Sequence, residues 1–146
     1  MTIRPLSDAL DDRLIRSLLD AAPDAMVITD ERGRILLVNH QTEELFGYER
    51  TELLGRPVEV LVPERFRSTH ESHRDRYRSD PRTRPMGDAG DALFGRRGDG
   101  TEFPVEISLS PLRGPSGLLV VSSVRDISER LASEERLREA GEELRL

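Results

Sequence analysis

The stretch Thr101–Leu112, TEFPVEISLSPL, decides how this chain folds. Phe103, Val105, Ile107 and Leu109 alternate with Glu102, Glu106, Ser108 and Ser110, the period of two that sends successive side chains to opposite faces of a strand. One row is apolar and the other wet, as in an antiparallel sheet covered on one side. Turn sequences bracket the stretch, GDG before it and GPSG after it. Beyond those turns Asp91–Arg97 and Leu118–Ile127 read as neighbouring strands. Earlier in the chain Ala25–Asp30 and Arg34–Asn39 flank the turn ERG and predict a tight hairpin. Between hairpin and final strands lies His40–Tyr48, a short helix with Leu45 and Phe46 inward, stopped by Gly47. Another single turn follows around Glu52–Gly55. The breaker-rich SDPRTRPMGDAG, Ser79–Gly90, predicts a loop. Two strands, short helices, then three strands make an α+β domain, an antiparallel sheet with its helices on one face.

Long helices flank this unit. Leu6, Leu10, Leu14, Ile15, Leu18 and Leu19 recur at helical steps, with Ser7 or Asp8 as N-cap and a break at Ala21-Ala22-Pro23. Such a helix either packs on the domain or meets a second copy. At the other end Ile127, Leu131, Leu137, Ala140 and Leu144 form an incomplete stripe, with Glu134 and Gly141 where a coiled coil wants bulk. The division is therefore 1–22 for an amphipathic helix, 23–127 for the domain and 128–146 for a helical connector leading to an output domain. A homodimer through the two flanking helices is the expected assembly.

Composition narrows the function. A net charge of -6 argues against a nucleic-acid binder, whose affinity comes from neutralising phosphates. The longest apolar run, GLLVV, is far too short to span a membrane, and no signal peptide opens the sequence, so the cytoplasm is the expected location. Cysteine is absent, which removes disulfides, thiolate metal sites and thiol nucleophiles. No nucleophile–base pair or paired carboxylates emerge, so an enzyme active site is not expected in this chain.

The chemistry-bearing stretch is Val62–Arg78, VPERFRSTHESHRDRYR. Pro63 suits a first helical turn. Phe66, His70, His73 and Tyr77 fall on one helical face, which turns two of the three histidines of the chain inward. Arg65, Arg67, Arg74, Arg76 and Arg78 surround that face. An inward imidazole beside arginines suits an anionic, metal-bearing cofactor. Other readings of the same residues are a half-buried histidine on an amphipathic helix, a solvated charged face, and a zinc pair at His70 and His73 that would need further ligands.

With these elements in order the sequence resembles a PAS domain. The residues that carry the likeness are AAPDAMVITDERGRILLVN, EELFGYERTELLGRP, RRGDGTEFPVEISLSPL and the closing VRDISER, spanning roughly Leu18–Arg130. The resemblance implies a five-stranded antiparallel sheet cupping a ligand pocket against small helices, used for sensing and dimerisation. Within that family RSTHESHRDRYRSDP is similar to the haem-binding PAS domains of rhizobial oxygen-sensing histidine kinases. That likeness implies haem b, with His70 as proximal iron ligand and Arg76 paired to a propionate. It also implies Ile107 and Leu109 lining the distal face, with Tyr77 and His73 on the ligand-bearing helix.

The sequence also departs from those sensors. Asp91 stands where they keep a distal arginine, and a carboxylate cannot donate to bound dioxygen unless protonated. The histidine that meets the second propionate is replaced by the PRTRPMG loop, where Arg82 or Arg84 is available instead. Oxygen, carbon monoxide, nitric oxide, a redox signal, or a haem-free module with a small organic ligand or none all stay open. Flavin held as a cysteinyl adduct is excluded by the lack of cysteine. The output domain would be a histidine kinase or a cyclase.

Overall fold

The computed structural model describes residues 8–68, 70, 74, 77, 80, 81, 84, 85, 93–115 and 117–143. Helix α1, Asp8–Ala21, ends at the expected break before Pro23. The hairpin follows as β1, Ala25–Thr29, and β2, Ile35–Val38. Helices α2, His40–Phe46, and α3, Arg50–Leu53, come next. Two 3-10 turns, Val58–Leu61 and Glu64–Phe66, lead into the histidine-bearing stretch. The remaining strands are β3, Arg84–Pro85, β4, Leu93–Arg96, β5, Glu102–Gly114, and β6, Gly117–Asp126. A closing helix runs over Ser128–Glu143.

All pairings are antiparallel, in the order β2–β1–β6–β5, with β4 and β3 on the outer edge of β5. This is the five-stranded sheet expected, with one addition. The loop read over Ser79–Gly90 contains the two-residue strand β3, in which Arg84 faces Leu109 and Pro85 faces Ser108. Along one edge of the 13-residue β5, β4 pairs with Glu102–Val105 and β3 with Ser108 and Leu109. An edge is where a strand tolerates proline, which cannot donate to the ladder.

The alternation read from β5 is present in three dimensions. Phe103 and Val105 are buried, Ile107 and Leu109 half-buried on the same face, and Glu102, Glu106 and Ser108 exposed. With Phe103 and Val105, the strand residues Val27, Ile35 and Val124 and the helical residues Phe46, Leu53 and Leu61 form the apolar core. Phe46 of α2 meets Phe103 with centroids 5.4 Å apart and rings tilted by 60°. Each such side chain contributes about 1.5–3 kcal/mol by leaving water.

Asn39 joins three elements. Its Oδ1 accepts from Met26 N at 2.8 Å, Thr42 Oγ1 at 2.8 Å and Thr42 N at 3.2 Å, capping α2. Its amide donates to Leu19 O at 2.7 Å and Asp24 O at 3.0 Å, tying in the end of α1. At the far end of α2, Gly47 adopts φ 73° and returns its N–H to Glu43 O.

The flanking helices leave apolar surface in water. On α1, Leu14, Ile15 and Leu18 are 59%, 46% and 64% exposed, so these three are not spent on the domain. On the closing helix Leu131 and Leu137 are 42% and 74% exposed. Among the described residues no helix is long and apolar enough to cross a membrane.

Candidate functional site

The site is built on the 3-10 turn Val58–Leu61. Leu61 joins the core and Val58 and Val60 pack against it, which fixes the turn and leaves Glu59, between them, buried at 6% exposure. Every described residue from Arg67 to Tyr77 is helical, namely Arg67, Ser68, His70, Arg74 and Tyr77. Spacings of four and three put His70, Arg74 and Tyr77 on one face, and Tyr77 is buried at 3%. That face meets Glu59.

His70 Nδ1 lies 3.3 Å from Glu59 Oε2, the two side chains being 14% and 7% exposed. Arg74 Nη1 pairs with the other oxygen, Glu59 Oε1. The Arg74 side chain also crosses the β1–β2 turn, so close to Gly33 that an added Cβ would collide with it. Gly33 sits at φ 79°, where other residues are strained as well. Glu59 Oε2, His70 Nδ1 and Arg74 Nε are buried without a well-formed hydrogen bond among the described residues. Burial pushes the Glu59 carboxyl up, but the contacts of His70 and then Arg74 outweigh it and hold the group below its usual range. Glu59 is therefore an ionised carboxylate in a largely dry place, turned toward an imidazole and a guanidinium.

The expected inward face changes in one respect. Phe66 belongs to a 3-10 turn and is 38% exposed, so it is not inward with His70 and Tyr77. It stacks on Phe94 at 6.5 Å with Arg65 over its ring at 4.5 Å, an external cluster. Ile107 and Leu109 lie on the inner sheet face. Arg84 is located by its backbone in β3. His73, Arg76, Arg82 and Asp91 lie outside the described residues. His40 is exposed and bonds Glu44 Oε1 at 2.9 Å. Glu59 was missed from the sequence, where the one signal is an acid flanked by Val58, Val60 and Leu61.

A second polar group joins this core to the closing helix. Arg97 stacks over the Phe103 ring at 4.1 Å, donates to Leu45 O at 3.2 Å and reaches Asp126 Oδ2 at 3.6 Å. Asp126 Oδ1 accepts from Ser128 N at 2.8 Å and Oγ at 2.6 Å, capping that helix. Ile127 N donates to Pro104 O at 3.1 Å, and Arg130 pairs with Glu106 at 2.8 Å. The start of the helix is thus fastened to β5 and to the β4–β5 corner.

Such a sheet, cupped by short helices on one face and carried between two longer ones, defines a class of small sensory modules. Residues 13–127 match the family model described as the PAS fold, and the chain belongs to that family. It is 36% identical over 130 residues to the sensor protein FixL of Bradyrhizobium diazoefficiens, covering 89% of this chain and 26% of that protein. It is 25% identical over 113 residues to the oxygen sensor protein DosP of Escherichia coli, covering 77% of this chain and 14% of that protein. The chain thus spans about a quarter or less of these relatives. Among solved structures, the PAS domain of an HTR-like protein from Haloarcula marismortui superposes with TM-score 0.66 at 21% identity, covering 85% of this chain and 98% of that one. A PAS domain from Colwellia psychrerythraea gives 0.67 at 23% identity, covering 84% and 99%.

His70 supplies an imidazole, a donor of the kind haem iron takes, with the Glu59 carboxylate beside it. Among the described residues no three His, Asp or Glu side chains converge as a chelated ion requires. A haem group would bring porphyrin nitrogens of its own and would need an imidazole from the protein, which His70 would supply.

Proposed function

We propose that this chain is a haem-binding sensory PAS module that reports a gas (oxygen, carbon monoxide or nitric oxide) or a redox change to an output domain outside the given sequence. The observation that carries the reading is His70, largely buried on the inward helical face of a PAS fold and turned by Nδ1 toward a buried carboxylate. Its placement agrees with the RSTHESHRDRYRSDP resemblance. Kinship with an oxygen sensor protein and with FixL supports the same reading. His70 would hold the iron, and Arg76, with Arg82 or Arg84, the propionates. Tyr77, Ile107 and Leu109 would supply apolar wall, and His73 and Asp91 are the remaining candidate contacts. Bound haem supplies an iron position that takes up a diatomic ligand or an electron.

The chain's own part is to favour one of two arrangements as that position changes, since a ligand shifts a conformational equilibrium only by its differential affinity. The fastening of Asp126 to Arg97 and of Arg130 to Glu106 supports a route to the closing helix. With Asp91 in place of a distal arginine, carbon monoxide, nitric oxide or redox sensing fits better than oxygen-specific sensing. We assign 1–22, 23–127 and 128–146 to dimer helix, sensor and connector, working in the cytoplasm.

A second reading, a haem-free dimerisation module, is favoured by one observation, the exposed Leu14, Ile15 and Leu18 on α1. His70→Ala separates the two. Under the haem reading it abolishes the Soret band of the reconstituted protein and leaves the far-ultraviolet dichroism unchanged, whereas His73→Ala keeps the band. A band retained by His70→Ala and lost by His73→Ala would move the ligand to His73.

A further inference from the structure

We infer that Glu59 is the positioning residue for His70: its carboxylate takes the Nδ1–H of the imidazole and leaves Nε2 as the nitrogen presented to iron. The inference rests on the haem reading above and deepens it. Three observations carry it. First, Glu59 is an acid buried by its own turn, held there by Leu61, Val58 and Val60, so its location does not depend on a cofactor. Second, Oε2 and Nδ1 are 3.3 Å apart, and both are buried with no formed hydrogen bond among the described residues. A small rotation of the imidazole would let the two meet as donor and acceptor. Third, Arg74 pairs with the opposite oxygen, Oε1, which leaves Oε2 as the oxygen on the side of the ring.

The chemical consequence follows from how imidazole binds metals. A neutral ring has one N–H and one lone pair, and the hydrogen bond at one nitrogen decides which nitrogen binds. A carboxylate on the N–H fixes ring orientation and raises the basicity of the ligating nitrogen. Glu59 would therefore set both the tautomer of His70 and the strength of its bond to iron. Arg74 acts one step further out, through Glu59.

The test uses the full chain reconstituted with haemin, compared with Glu59→Gln, Glu59→Asp and the double variant Glu59→Gln/Arg74→Met. The double variant removes both charges and keeps the test available should the single change fail to fold. With the carboxylate gone, haem affinity falls roughly 10–100-fold. In the reduced five-coordinate protein the iron–histidine stretching band moves to lower frequency, and the reduction potential rises. Glu59→Asp restores part of each change. In the haem-free protein, nitrogen chemical shifts of His70 report the Nδ1–H tautomer, and the preference weakens in Glu59→Gln. A purely structural Glu59 would leave the stretching band and the tautomer where they are. A wild-type Soret band that needs His70, with band position and tautomer unchanged in Glu59→Gln, overturns this inference alone. No Soret band in the wild type overturns the haem reading and this role together.

Discussion

Arg74 and Glu59 form an ion pair behind the β1–β2 turn, the Glu59 side chain 7% and the Arg74 side chain 24% exposed. A buried pair is weak evidence for stability, because desolvation offsets much of the attraction, yet removing one partner strands the other. Arg74→Met alone is expected to lower stability by about 3 kcal/mol. Glu59→Leu/Arg74→Met is expected to recover most of that loss. Chemical denaturation of the two variants and the wild type checks this. A double variant as weak as the single one would mean that packing of the Arg74 stem, not its charge, matters.

Gly33 is the backbone side of the same contact. Gly33→Ala adds a methyl against Arg74 at a φ of 79°. We expect a loss of about 1–3 kcal/mol from the strained backbone, read as a lower melting temperature. In the Arg74→Met background the steric part of the loss shrinks while the φ cost stays.

Asn39 binds α1, β1 and α2 through five hydrogen bonds at 1% exposure. Asn39→Ala leaves buried backbone groups unpaired, each costing about 1–3 kcal/mol. Asn39→Asp turns a charge toward two carbonyl oxygens and is expected to be worse still. Hydrogen exchange should show α1 and the start of β1 released together. Exchange confined to α2 would contradict the joint described.

The β4–β5 corner carries a pH dependence. Asp99 accepts from Thr101 Oγ1 at 2.6 Å and Thr101 N at 2.9 Å, and these bonds hold its carboxyl below its ordinary value of 3.8. A carboxyl depressed on folding contributes stability that is present above its unfolded value and is lost as pH falls through the folded one. Acid titration should therefore show the wild type losing stability below about pH 4 by more than Asp99→Asn does. Equal acid sensitivity would remove Asp99 from the account. The group is exposed, so the difference is small.

The closing helix is coupled to the sheet by Arg97 and Asp126, 3.6 Å apart. Asp126→Ala removes the cap on Ser128 together with that contact, and exchange should quicken over Ser128–Glu143 while the β5–β6 ladder stays protected. Leu14→Glu/Leu18→Glu on α1 is expected to halve the sedimentation mass under the dimer assignment; an unchanged mass would set that assignment aside.

Most of the sheet could be read in advance, because β5 alternates cleanly and glycine-rich turns mark its ends. The two-residue strand Arg84–Pro85 could not, since two residues in a breaker-rich stretch carry no alternation and only the edge of β5 gives them a partner. Phe66 was misassigned because a 3-10 turn replaces the first helical turn after Pro63, and three residues per turn rotate it off the face of His70. Glu59 was invisible for a related reason. In VEVL it reads as the polar member of an apolar run, and only the packing of Leu61 turns it inward to meet a helix eleven residues away. Asn39 looked like the end of a strand, although its position before a helix is the signature of an N-cap.

The most direct measurement is the visible spectrum of the full chain after haemin addition and desalting, taken oxidised, then reduced, then under carbon monoxide. The account predicts a stoichiometric Soret band that shifts on reduction and again with carbon monoxide, and that His70→Ala removes. A flat spectrum, with the protein folded by dichroism, would contradict it and leave the Glu59–His70–Arg74 cluster a structural element of a PAS module that binds something other than haem.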